Sequence, residues 1–110
     1  MYNFLSYNKG TAMAFTGTHI TYGRVKAVSP GVALMGAPDW SESMATPGTT
    51  AKAATLDTTA DCFMIQPTAD IWVSVAPVPN AEVNPRMLIR AGEAVTIPCA
   101  KGDKVAWVVA

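Results

Sequence analysis

Apolar and polar positions alternate most clearly in the C-terminal half of the chain. In Asp70-Ile71-Trp72-Val73-Ser74-Val75-Ala76, residues Ile71, Val73 and Val75 fall on one side and Trp72, Ser74 and Ala76 on the other. Alternation of this kind, in residues that favour strands, predicts a β-strand with one face turned to a core. Pro77 ends it. Pro79, Asn80 and Pro85 then predict a loop, since proline has no N–H to give to a ladder. Residues 86–90 read as the next strand, Ala91-Gly92-Glu93 as a tight turn and residues 94–97 as a strand broken by Pro98. Lys101-Gly102-Asp103 is another turn, and residues 104–109 form the last strand. Strands joined by short glycine-containing turns predict an antiparallel meander.

Upstream, residues 59–66 predict a strand that Pro67 closes, and the turn over residues 66–69 predicts a hairpin with the Trp72 strand. Residues 18–28 offer one strand broken at Gly23, or two short ones, closed by Ser29-Pro30-Gly31. Residues 12–15 and 32–35 are shorter strand candidates. Residues 36–52 differ from all of these. Gly36, Pro38, Pro47 and Gly48 lie among Ser, Thr and Ala, which predicts a long loop with a short helical turn near residues 39–44. A structureless loop of this length in a compact domain is uncommon and tends to make contacts.

No segment holds a helical period through several turns, so the fold class is all-β. The expected architecture is a single-domain antiparallel β-sandwich or jelly-roll-like barrel over residues 1–110, with 1–9 as an N-terminal arm. That length accommodates about seven to nine strands of roughly 5–6 residues.

Composition narrows the role. The 8 basic and 8 acidic side chains cancel, which excludes the basic footprint of a nucleic-acid module and an acidic disordered tail. No apolar run approaches the roughly 20 residues of a membrane helix, and the N-terminus lacks the charge-then-apolar order of a secretory signal. No membrane and no nucleic-acid partner is therefore expected. Cys62 and Cys99 are too few for a disulfide framework and read as reduced, buried thiols.

Candidate chemistry is thin. His19 is the single imidazole, and no Gly-x-Ser-x-Gly accompanies it, so a hydrogen-bonded strand histidine is the favoured reading. One His and two distant Cys cannot supply a zinc site. Asp57, Asp61, Asp70 and Asp103 lack calcium-loop spacing, while Glu42, Glu82 and Glu93 fall in predicted loops as solvated charges. No phosphate-binding glycine loop is present. Arg86 and Arg90 share a face with Leu88, but four C-terminal cations without an aromatic platform make an ordinary wet edge. No catalytic residue, metal or cofactor is expected, and the chain reads as a non-enzyme.

The aromatic residues are more informative. Tyr2, Phe4 and Tyr7 crowd into the first seven positions, and Trp40 stands in the polar stretch beside Asp39, Ser41 and Glu42. Large aromatics are enriched in interface cores, so Tyr2, Phe4, Tyr7 and Trp40 are the candidate partner interface. Trp72 and Trp107, set in alternating strands, read as packing residues of one sheet. Only 15% of residues are charged, against about 25% in an average soluble domain. So little charge suits a surface that meets other chains.

The C-terminal run, residues 86–98 and then 101–110, resembles the ending of small tailed-bacteriophage virion proteins. In that ending a strand, a Gly-Glu turn (Gly92-Glu93), a strand and a Gly-Asp-Lys turn (Gly102-Asp103-Lys104) lead into an apolar final strand. Ala69-Asp70-Ile71-Trp72-Val73 is similar to the strand that precedes it. Within that group the chain looks most like capsid cement or decoration proteins. The resemblance implies a non-enzymatic structural protein of the virion that binds and stabilises the capsid shell. Its partners would be the major capsid protein or other virion subunits, with homo-oligomeric association. An alternative is a tail- or fibre-associated module in which an exposed Trp40, with Asp39 and Glu42, stacks against a glycan or receptor.

Overall fold

The computed structural model describes residues 15–29, 32–35, 38–56 and 61–110. Among them are nine strands: β1 (Thr18–Ser29), β2 (Val32–Met35), β3 (Trp40–Met44), β4 (Gly48–Thr49), β5 (Asp61–Pro67), β6 (Ile71–Ala76), β7 (Met87–Ile89), β8 (Val95–Pro98) and β9 (Lys104–Val109). They form two antiparallel sheets packed as a single-domain β-sandwich. The first sheet runs β4-β9-β6-β7; the second runs β2-β1-β5-β8, with β3 also paired to β1.

The predicted alternation appears directly as packing. Ile71 and Val73 are buried while Trp72 and Ser74 are only half-buried. The first sheet gives Ile71, Val73, Ile89, Val105 and Trp107 to the core, and the second gives Ile20, Tyr22, Phe63 and Ile65. Taking each such side chain out of water contributes about 1.5–3 kcal/mol. Trp107 faces this core, whereas Trp72, the neighbour of Val108 in register, lies on the opposite side of the same sheet.

Three expectations need correction. Residues 36–52 are not a long loop with a helical turn: Trp40–Met44 is a strand, and Gly48–Thr49 pairs with Ala106 and Trp107. The inward positions of β3 are Trp40, Glu42 and Met44, and the charge on Glu42 hides the period-two signal. Second, β5 and β6 make no hairpin, because they belong to different sheets. Thr68 is engaged elsewhere: its N–H donates to the Gly17 carbonyl at 2.9 Å and its hydroxyl accepts from the Gly17 N–H at 2.9 Å. Gly17 has φ +84, and a Cβ there would strike the Met44 carbonyl, so only glycine fits this corner.

Third, the last three strands are not a meander. β7 pairs with β6, β8 with β5, and β9 with β6 and β4, so the chain changes sheet at each short turn. At residues 91–92 the Gly92 N–H donates across the sandwich to the Pro67 carbonyl at 2.9 Å, in place of closing a hairpin. The glycines at 92 and 102, both at positive φ, mark where the turns fall. Their direction depends on which sheet holds the vacant partner, which local sequence does not encode.

Candidate functional site

Two regions carry the polar and aromatic groups that the fold leaves for special use. The first lies on the inner face of the second sheet. Register places Tyr22 of β1 opposite Trp40 on one side and Phe63 on the other. Their ring centroids are 5.4 Å apart for Tyr22–Trp40, 5.5 Å for Tyr22–Phe63 and 5.9 Å for Trp40–Phe63, in tilted arrangements that suit aromatic quadrupoles. Trp40 is half-buried here, and its indole Nε1 donates to the Ala53 carbonyl at 3.1 Å.

Behind this row is a buried hydrogen-bond centre. The Tyr22 hydroxyl donates to Asp61 Oδ2 at 2.6 Å and accepts from the backbone N–H groups of Thr55 at 3.1 Å and Leu56 at 2.8 Å. Tyr22 and Asp61 are 0% and 1% exposed, so protein partners take the place of water around them. Burial, and then the bond to Asp61, raises the Tyr22 hydroxyl above its ordinary range. The phenol remains a neutral donor.

Residues 50–56 are thereby tied to both sheets. The Thr50 N–H donates to the Val105 carbonyl at 2.8 Å, and the Val105 N–H returns a bond to the Thr50 hydroxyl at 3.2 Å. The Ala54 N–H donates to the Asp103 carbonyl at 2.8 Å, and the Glu42 carboxylate accepts from the Ala51 N–H at 3.0 Å. This segment is a strap across one end of the sandwich. Its chemistry is structural.

The two thiols sit beside the same centre. Cys62 lies opposite Gly23 and donates to its carbonyl at 3.6 Å; the Cys99 N–H donates to the Asp61 carbonyl at 3.1 Å. Both cysteines are free. Burial, followed by the negative charges of Asp61, Asp103 and Cys62, pushes the Cys99 thiol up to about 12, and burial followed by Asp61 raises Cys62 as well. A thiol held in that form is a poor nucleophile at neutral pH.

The second region is the loop between β6 and β7, which folds over the outer face of the first sheet. Its Asn80 N–H donates to the Ser74 hydroxyl at 3.3 Å, and the Asn80 side chain accepts from the Glu82 N–H at 2.9 Å, an Asx turn. Ala81 is buried beneath it. Arg86 closes the loop: its guanidinium lies 4.2 Å over the Trp72 ring, and Nη1 donates to the Ala81 carbonyl at 3.3 Å. Against this fixed base, Val78 is 90% exposed and Val83 55%. Leu88, on the outer face opposite Trp72, is 40% exposed. A hollow of about 240 Å³ under the crest is lined by Val75, Val78, Val83, Asn84 and Pro85.

The sequence-derived interface is thus divided. Tyr2, Phe4 and Tyr7, with the arm over residues 1–9, lie outside the described residues. Trp40 is not an exposed platform but a member of the Tyr22–Phe63 row. His19 is on the outer face of the second sheet, where a 2.6 Å hydrogen bond joins its Nδ1 to the Ser43 hydroxyl and its ring lies 5.6 Å from that of Phe15. Strand register alone creates that pair, since Ser43 is the cross-strand partner of His19. Glu93 accepts from the Arg90 N–H at 3.1 Å, and Glu82 is exposed. The sequence marks Asp61 only as one of several scattered acids and residues 77–86 only as a loop. Valines beside prolines in a loop were the available signal for the crest; nothing local marked the Asp61–Tyr22 pair. Compared with known protein families, with curated proteins and with solved structures, the chain matches none.

Proposed function

We propose that this chain is a non-enzymatic structural protein of a bacteriophage particle, which binds the capsid shell and stabilises it as a cement or decoration subunit. The observation that carries the reading is the apolar crest of residues 77–86. Val78 and Val83 stand in water on a loop fixed by Asn80, Ala81 and Arg86. Covering exposed apolar side chains with a partner is favourable, and apolar patches on a surface mark contact sites. The resemblance of the C-terminal strands and turns to small virion proteins supplies the context, and the low charge content is consistent with it. The partner is the major capsid protein or another virion subunit, and copies of the chain associate with one another on the shell.

Thermal rupture of purified shells, followed by light scattering with and without added protein, tests this role. Saturating protein is expected to raise the rupture temperature; an unchanged temperature together with no co-sedimentation refutes the cement role. The glycan-binding alternative needs an outward Trp40, and the indole's packing against Tyr22 and Phe63 does not favour it.

A further inference from the structure

We draw no further inference here: the strongest candidate, the apolar slot of about 280 Å³ beside β7 and β8 lined by Val73, Val75, Met87 and Ile97, is an open mouth of the sandwich core, and nothing in the structure shows what covers it.

Discussion

The Tyr22 row and the 77–86 loop are both fastened by hydrogen bonds that cross between elements, yet they treat apolar surface in opposite ways. Around Tyr22, three aromatic rings turn inward and the polar atoms behind them find partners in Asp61, Thr55 and Leu56. In the loop, the Asn80 N–H donates to the Ser74 hydroxyl and the Arg86 guanidinium to the Ala81 carbonyl, while Val78 and Val83 stay exposed. The first arrangement stabilises the fold. The second adds nothing to the core by exposing Val78 and leaves an apolar side chain in water. Apolar side chains left outside the core are what the loop has and the Tyr22 row lacks.

Mutations should divide along that line. Phe63→Ala removes the centre of the aromatic row and leaves a cavity, and is expected to cost about 3–5 kcal/mol in urea unfolding. A cost below about 1 kcal/mol would mean that the row is not part of the cooperative core. Tyr22→Phe keeps the ring but removes one hydrogen bond to Asp61 and deprives the Thr55 and Leu56 N–H groups of their acceptor. It is expected to cost about 1–3 kcal/mol, because one charge-assisted hydrogen bond and two backbone hydrogen bonds are lost. Hydrogen exchange at Thr55 and Leu56 should accelerate in the same variant, which distinguishes release of the strap from a general loss of packing.

The thiols give a pH signature on the same side of the molecule. An unfolded chain ionises cysteine near about 8.5, whereas the folded state holds Cys99 neutral to about 12. Ionisation therefore favours the unfolded state as pH rises. Stability is fully present below the unfolded value and declines progressively towards the folded one. Urea midpoints measured from pH 8 upward should fall, and Cys99→Ala should flatten the slope. A slope indifferent to that substitution would place the alkaline sensitivity elsewhere, with Tyr22 the next group to test.

The smallest effect on stability is expected on the other side of the comparison. Val78→Ser with Val83→Ser removes exposed methyl groups and should leave the free energy of urea unfolding within about 0.5 kcal/mol of the parent. A large loss would show that the crest is part of the packed structure after all.

Much of the architecture was readable from the sequence, and the exceptions have physical causes. Residues 70–76 are legible because one face is apolar and Pro77 ends the run, and residues 104–109 because an apolar run follows the Gly102 turn. β3 was missed since Glu42 occupies an inward position and satisfies its carboxylate on the Ala51 N–H, a bond between segments that local pattern does not show. The turns at Gly92 and Gly102, with φ +81 and +93, were recognised as turns. Their role as crossings between sheets follows from distant acceptors such as the Pro67 carbonyl. For the site, Tyr22 and Asp61 lie far apart in the chain and meet only through β1–β5 register. Trp40 stands among polar neighbours in the sequence yet faces inward, because Ser41 and Ser43 occupy the outward positions of the same strand.

Co-sedimentation of the chain with purified shells, comparing the parent with Val78→Asp/Val83→Asp at matched folded concentration, tests the central claim most directly. A charge on each crest valine should abolish shell binding by opposing burial of the loop, while circular dichroism and the urea midpoint remain those of the parent. Undiminished binding by the folded variant would contradict the account, because the crest could not then be the surface that meets the shell.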